Sequence, residues 1–140
     1  HVSMRMGTVM SLLGTATGRA FAATLPRQKL EQAMLGALGD GPRRLDRSAV
    51  KDVAREIQEI QAELRGHGVV RAIGRPIPGV NAFSAAVFDH EGNAVLVITA
   101  LGHEDNFPAD WDSDVARAVR QAAADVSLRL GYRPSEASVL

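Results

Sequence analysis

The chain has 140 residues, with 16 basic and 16 acidic side chains and no formal net charge. This length fits one domain, and the balanced charge argues against a dedicated nucleic-acid surface, which usually carries an excess of Lys and Arg. No cysteine occurs, so disulfides and thiolate chemistry are excluded, and no apolar run is long enough to predict a transmembrane helix. Residues 1–10 lack a signal-peptide layout, and the absence of a starting methionine predicts a fragment.

The first part of the chain is predicted to be mainly helical. Residues 2–6 favour a short strand that ends in a turn at Gly7. A helical pattern begins at Thr15 and is ended by Pro26, and a second short helix is expected over Arg27–Leu38.

A loop rich in glycine and proline at residues 39–46 leads into a long amphipathic helix. Ser48 is the expected N-cap of this helix, and Gly66 and Gly68 are expected to end it. Its predicted buried stripe consists of apolar residues spaced three or four apart, namely Val50, Val53, Ala54, Ile57, Ile60 and Leu64.

The hydrophobic period then changes, and three strands are predicted over Val69–Ile73, Val80–Phe88 and Ala94–Leu101. Residues 89–93 contain a glycine where a positive φ is most easily adopted, which predicts a hairpin turn between the last two strands. Because residues 94–101 are almost wholly apolar, the third strand is expected to be covered on both faces.

A final helix is expected over Ser113–Leu130, ended by Gly131. Its predicted buried face comprises Val115, Val119, Ala122, Val126 and Leu130. The whole pattern predicts an α/β (α+β) chain, with antiparallel strands late in the sequence and helices before and after them.

Two glycines four residues apart, Gly14 and Gly18, flank Thr15, Ala16 and Thr17 at the start of the first predicted helix. One explanation is a helix start whose small residues pack closely. The other is an anion site, in which exposed backbone N–H groups and two hydroxyls bind negative charge. A phosphate loop does not fit, because the second glycine is not followed by Lys and a hydroxyl residue.

The sequence offers little support for catalysis or metal binding. Residues 110–114 resemble the start of a calcium loop, but Val115 and Gln121 occupy the places of its glycine and glutamate. The four histidines lack metal-ligand spacing, and Ser84 lacks the G-x-S-x-G surroundings of a hydrolase nucleophile. We therefore predict no catalytic residues, no metal and no cofactor.

Three segments taken together resemble one family. They are MRMGTVMSLLGTATGRAFAATLP, then RGHGVVRAIGRPIPGVNAFSAAVFDHEGNAVLVITALG, and finally ARAVRQAAADVSLRLG. Their order and spacing, from about Met4 to Gly131, are similar to the C-terminal effector-binding domain of IclR-type transcriptional regulators, named after the isocitrate lyase regulator. No single motif is highly specific, and the resemblance rests on all three.

This resemblance implies a GAF-like domain, an antiparallel sheet flanked by helices, that binds a small organic acid. In that family an N-terminal winged helix-turn-helix binds operator DNA, and the effector alters assembly or DNA affinity. We expect residues 1–140 to form a single effector-binding domain whose opening helix and first strands precede residue 1. A cytoplasmic homodimer or homotetramer is expected, with no membrane contact and with operator DNA bound only through the missing N-terminal domain.

The resemblance also assigns an effector site. The segment from Gly14 to Gly18 would form one wall, in which Thr15 is the expected cap and its hydroxyl holds a carboxylate together with the backbone N–H groups of Ala16 to Gly18. Thr17 would supply a second hydroxyl or merely pack. The corresponding positions on the strands are Ala72, Ala82, Thr99 and Leu101.

Departures from the family pattern indicate the kind of ligand. Relatives often carry polar residues at the positions of Ala72 or Ile73, Ala82 and Leu101, and of the two polar positions in the last strand only Thr99 keeps a hydroxyl. Loss of polar partners beside a retained anion wall favours a carboxylic acid with an apolar or aromatic body. The residues expected to line that body, or else to be ordinary core, are Met4, Met6, Met10, Phe83 and Leu101.

Two classes of function are therefore compared. The first is the ligand sensor of a transcription factor, and the alternative is a GAF-like signalling module or a small enzyme outside transcription. The lack of paired titratable residues around Thr15, Ala82 and Thr99 favours the sensor. A winged helix in the flanking sequence would decide between the two.

Overall fold

The computed structural model describes residues 5–38 and 45–134. Its helices and strands, in chain order, are α1 (Met6–Leu12), α2 (Ala16–Ala23), α3 (Arg27–Leu38), α4 (Arg47–His67), β1 (Val70–Ile73), β2 (Val80–Phe88), β3 (Ala94–His103) and α5 (Asp114–Arg129). No helix within these ranges is long and apolar enough to cross a membrane.

The three strands form one antiparallel sheet in the order β1-β2-β3. The central strand β2 is buried over most of its length, because α2 packs on one face of the sheet and α5 on the other. This arrangement confirms the predicted antiparallel sheet flanked by helices.

Each face of the sheet has its own hydrophobic core. On one side Val70 joins the buried faces of α1, α2, α3 and α4, where Ile60 is fully enclosed. On the other side Phe83, Ala85 and Val87 of β2 pack against α5. Successive strand residues point to opposite faces, so this alternation decides which side chains can share a site.

Several predicted boundaries are confirmed. Helices α2 and α3 and strand β2 occupy the predicted segments, and residues 89–93 form the hairpin turn with Gly92 at a φ of 80°. Gly68 caps α4 at a φ of 73°, and Gly131 follows α5 at a φ of 86°, which are left-handed conformations that glycine adopts without strain.

The predicted strand at residues 2–6 with a turn at Gly7 is wrong where the structure can be compared. Met6 begins α1, and Gly7 lies within that helix, while residues 2–4 lie outside the described ranges. Met6, Val9 and Leu13 are buried at helical spacing, and packing of that stripe outweighs the low helix propensity of one glycine.

The N-cap of α4 and the buried face of α5 also differ from the predictions. Asp46, not Ser48, caps α4, because its carboxylate accepts a hydrogen bond from the Ala49 N–H at 2.7 Å. In α5 the buried residues are Ala116, Val119, Ala123 and Ser127, so only Val119 of the predicted face is fully buried. Small side chains at these positions let α5 approach the sheet closely. Residues 39–44 of the predicted loop lie outside the described ranges.

The prediction that the third strand is covered on both faces is wrong. Val95, Leu96 and Leu101 of β3 are 50%, 46% and 66% exposed. Strand β3 lies at the edge of the sheet as far as the described residues show, whereas α2 and α5 are centred on β2. An apolar run therefore identified the strand correctly but not its place in the sheet.

Candidate functional site

The start of α2 is organised by Thr15. Its hydroxyl accepts a hydrogen bond from the Gly18 N–H at 2.9 Å, and its carbonyl accepts one from the Arg19 N–H at 2.9 Å. The backbone N–H groups of Ala16 and Thr17 have no acceptor among the described residues. The Gly18 N–H is not available to a carboxylate as predicted, because the Thr15 hydroxyl already accepts from it. The two remaining donors lie at the positive end of the helix dipole, and Ala16 is itself only 3% exposed.

Gly18 is required by close packing, whereas Gly14 has space around it. A Cβ on Gly18 would clash with the Leu12 carbonyl oxygen and would lie 2.7 Å from the Leu12 carbonyl carbon. A Cβ on Gly14 would meet, within residues 5–38 and 45–134, only the Ser11 carbonyl oxygen, at 3.8 Å. The close-packing explanation of this segment is thus confirmed for Gly18, and it leaves the donors of Ala16 and Thr17 available.

The predicted strand residues share one face of the sheet. Ala72, Ala82 and Leu101 are paired across the three strands, so they form one row on the face that α2 covers. Ala72 is buried, Ala82 is half-buried and Leu101 is largely exposed, so the row runs from the core to the surface. All three side chains are apolar.

The next row brings three hydroxyls into line. Ser84 is paired with Thr99 across β2 and β3, and their hydroxyl oxygens lie 2.6 Å apart. The Thr99 hydroxyl oxygen also lies 2.5 Å from that of Thr17 on α2. We call Ser84, Thr99 and Thr17 the hydroxyl line; it starts in the core at Ser84, which is fully buried, and ends at the exposed Thr17.

The sequence had assigned Thr17 and Thr99 to one site, and the structure brings them into contact. Ser84 was missed, because it was considered only as a nucleophile. Its position two residues after Ala82 was the signal that it shares the same face of the strand.

Other predicted lining residues lie elsewhere. Met6 and Met10 line a cavity of about 710 Å³ between α1 and α3, which none of the predicted residues of α2 or the strands line. Of the two alternatives for Phe83, ligand lining or ordinary core, the structure shows core, because Phe83 points to the opposite face and packs on Phe107 with ring centroids 5.9 Å apart. Met4 lies outside the described residues.

Arg19 anchors α2 and was not predicted. Its guanidinium is buried and forms ion pairs with two carboxylates of α4, at 3.1 Å from Glu56 and 2.9 Å from Glu63. The two glutamates are seven residues apart, which puts them on one face of α4. This contact fixes α2, and with it the donors at its N-terminus, against the longest helix.

A second, smaller cavity of about 330 Å³ lies where α2, α4 and β1 meet. It is lined by Arg19, Glu63, Arg71, Ile73, Arg75 and Trp111. Arg71 is already engaged, since its guanidinium stacks 4.0 Å from the Trp111 ring centroid and donates to the Ala109 carbonyl. Among the described residues, no group of His, Asp and Glu is arranged to hold a metal ion.

Comparison with known proteins places this arrangement among bacterial regulators. A family model for the C-terminal part of the bacterial transcriptional regulator IclR matches residues 1–128. The HTH-type transcriptional regulator KipR of Bacillus subtilis is 26% identical over 131 residues, which cover 91% of this chain and 49% of KipR.

Solved structures give the same result. HmgR of Pseudomonas aeruginosa is 30% identical with a TM-score of 0.65, over 89% of this chain and 46% of that one. The IclR protein of Thermotoga maritima, at 21% identity, matches in fold with a TM-score of 0.63, over 86% of this chain and 47% of that one. The chain therefore spans about half the length of these relatives.

Proposed function

The chain belongs to the IclR family of bacterial transcriptional regulators and corresponds to their C-terminal domain, and on this premise we propose that residues 1–140 form an effector-binding domain for a small organic acid. Its family is one of transcriptional regulators and not of enzymes. We infer that the domain binds its ligand without turnover and so controls the affinity of a longer protein for DNA.

The group of donors at the start of α2 carries this proposal. The backbone N–H groups of Ala16 and Thr17 and the Thr17 hydroxyl all belong to the first turn of α2, where the helix dipole is positive. A carboxylate accepts hydrogen bonds through two oxygens and never donates, so it matches such a group. The Thr15 cap and the glycine segment from Gly14 to Gly18 hold the donors in position.

The apolar row beside the donors supports a ligand with a nonpolar body. Ala82 and Leu101 adjoin the hydroxyl line on the same face, and Leu101 is largely exposed. A ligand whose carboxylate lies at α2 and whose aliphatic or aromatic part lies over this row would remove that apolar surface from water. Ala72 is the buried end of the row.

The effect on transcription follows from parts outside this chain. We propose that the domain assembles as a homodimer or homotetramer in the cytoplasm and that a winged helix-turn-helix elsewhere in the protein binds operator DNA. The balanced charge of residues 1–140 supports this division, because sequence-independent DNA binding depends on an excess of basic side chains. Sedimentation that detects only monomers of the full-length protein would contradict the assembly.

A thermal-shift assay tests ligand binding. Benzoate, phenylacetate and hexanoate are added separately to the wild type, to Thr17→Val and to a control variant, Thr24→Val. Thr24 lies at the other end of α2, where its hydroxyl donates to the Phe21 carbonyl. At least one acid should raise the melting temperature of the wild type and of Thr24→Val by mass action, and Thr17→Val should lose most of that rise. Absence of a rise in the wild type, or an equal rise in Thr17→Val, would contradict the proposed site.

A further inference from the structure

We propose that the smaller cavity, where α2, α4 and β1 meet, is a second ligand site that binds a small dianion such as phosphate or a short dicarboxylate. Its volume of about 330 Å³ lies near the lower end of the range for small-molecule sites, about 300–1,000 Å³. Its described lining contains none of the residues assigned to the acid site at the start of α2. The inference therefore goes beyond the proposed function and does not depend on it.

The walls of this cavity carry an excess of positive charge. The guanidinium groups of Arg19, Arg71 and Arg75 line it together with one carboxylate, that of Glu63. Arg19 is neutralised by its ion pairs with α4, whereas neither Arg71 nor Arg75 forms an ion pair with a described residue. Like charges around one small space repel each other and attract an anion. A dianion would neutralise both groups, whereas a monoanion would leave one unmatched.

Arg71 is held in place with donors to spare. Its guanidinium carbon lies 4.0 Å from the centroid of the Trp111 ring, and one N–H donates to the Ala109 carbonyl at 2.6 Å. The Trp111 ring is itself stacked on His67, with ring centroids 4.0 Å apart. A guanidinium has five N–H donors, and the others on Arg71 have no acceptor among the described residues. An anion would therefore meet a guanidinium that is already oriented, which lowers the entropic cost of binding.

The buried Arg19 side chain gives an independent indication of a ligand. Arg19 is 7% exposed, and its two terminal nitrogens donate to Glu56 and Glu63. Its Nε is also buried, and it has no acceptor among the described residues. Buried N–H groups are almost always hydrogen-bonded. An oxyanion bound in this cavity would bring acceptor oxygens to the wall that contains this unpaired donor.

The chemistry of the lining indicates the class of ligand. The planar fork of a guanidinium matches the paired oxygens of a carboxylate or a phosphate. Trp111 and the exposed Ile73 add apolar surface beside these donors, which suits the short carbon chain of a dicarboxylate. Asp110 and Asp112 flank Trp111 in the sequence, but neither forms an ion pair with a described arginine of the cavity. The guanidinium groups of Arg71 and Arg75 therefore remain available to an added anion.

An NMR titration tests this site directly, because Trp111 is the sole tryptophan of the chain. Its indole N–H gives one signal that reports on the cavity. Phosphate, succinate, acetate and the neutral succinamide are added separately at constant ionic strength and at mildly alkaline pH, where phosphate is doubly charged. At least one dianion should shift this signal to saturation, with an affinity about tenfold or more above that of acetate, and succinamide should leave it unchanged. The dianion that binds more tightly identifies the source of the charge.

Arginine variants test which groups bind the anion. Arg71→Gln should weaken binding of the dianion about tenfold or more, because charge-assisted hydrogen bonds are lost, and Arg75→Gln, at an exposed position, about threefold. Arg55→Gln is the matched control, because it removes the same charge from an exposed side chain of α4 that pairs with Asp52 and lies outside the cavity lining. Its affinity should equal that of the wild type.

Glu63→Gln tests the same site through a gain of affinity. The glutamine keeps an acceptor oxygen for Arg19 but removes the negative charge from the cavity wall. The affinity for the dianion should therefore rise about threefold or more. Partial unfolding cannot produce such a gain, so this variant separates a binding role of the cavity from a merely structural one.

Several results would overturn the proposal. They are the absence of a saturable shift with both dianions, an equal response to succinamide, wild-type affinity in both Arg71→Gln and Arg75→Gln, an unchanged or lower affinity in Glu63→Gln, and a loss in Arg55→Gln as large as that in Arg71→Gln. None of these results would affect the acid site at the start of α2, which is tested separately with monocarboxylates and Thr17→Val.

Discussion

Replacement of Gly18 by alanine tests whether α1 and α2 touch as closely as the structure describes. A methyl group at this position would clash with the Leu12 carbonyl oxygen and would lie 2.7 Å and 2.8 Å from the Leu12 carbonyl carbon and Cα. These obstacles are backbone atoms at the C-terminal end of α1, so no side chain can rotate away. The two helices must move apart to accept the methyl group.

The expected loss of stability has two opposing parts. Overpacking of a well-packed contact costs about 1–3 kcal/mol, and a gap of a fraction of an ångström between the helices forfeits part of their dispersion energy. Alanine in place of glycine within a helix contributes about 0.5–1 kcal/mol in the other direction. Gly18→Ala should therefore lower the free energy of unfolding by about 1–2 kcal/mol.

Gly36→Ala in α3 is the matched control. Gly36 also lies within a helix, but a Cβ there would meet no described residue within 4 Å. This variant should be about 0.5–1 kcal/mol more stable than the wild type, because only the propensity effect acts. Urea unfolding of both variants measures the difference, and Gly18→Ala at or above the stability of Gly36→Ala would refute the close contact between α1 and α2.

Substitutions at Thr15, Arg19 and Leu101 test other contacts by unfolding or titration. Thr15→Val should lower the free energy of unfolding by about 1 kcal/mol because the N-cap is lost, whereas Thr15→Asn should keep the cap and the stability of the wild type. Equal stability of the two variants would contradict the N-cap. Arg19→Met should lower the free energy of unfolding by about 1–3 kcal/mol, because Glu56 and Glu63 then lack their counter-charge. As a control, Arg27→Met breaks an exposed pair with Glu31 and should change the free energy of unfolding by less than about 0.5 kcal/mol. Leu101→Ser should change stability by less than about 0.5 kcal/mol because the side chain is exposed. It should also lower the affinity for hexanoate relative to the affinity for a hydroxylated hexanoate, as measured by NMR titration. An unchanged ratio of these two affinities would show that Leu101 does not contact the ligand.

The helices and strands were largely predictable, because their hydrophobic periods and terminal signals agree. The apolar stripe of α4 and the glycine at its C-terminal end are examples. The short helix α1 was not predictable in the same way, since seven residues with an internal glycine form a helix only when α2 and α3 supply a surface to pack on. A local pattern does not reveal that surface.

The site was predictable only in part, because the register of the hairpin contains a bulge. Phe88 is paired with Ala94, but Val87 is paired with Leu96, so one residue of β3 is skipped. Without the bulge, Ser84 would lie opposite Ile98, and Thr99 would share a face with Phe83. The hairpin turn indicates which strands pair, but the bulge decides that Ser84 meets Thr99.

The edge of β3, which no described residue pairs with, has a consequence for how this polypeptide behaves at high concentration. The strand is ten residues long, mostly apolar, and lacks the lysine or proline residues that commonly block edge-to-edge pairing. Its bulge lies next to the turn, so the rest of the edge remains regular enough to template another strand. We therefore expect aggregation of residues 1–140 to begin at β3, and a lysine at the exposed Leu96, in the regular part of the edge, to keep the protein in solution longer.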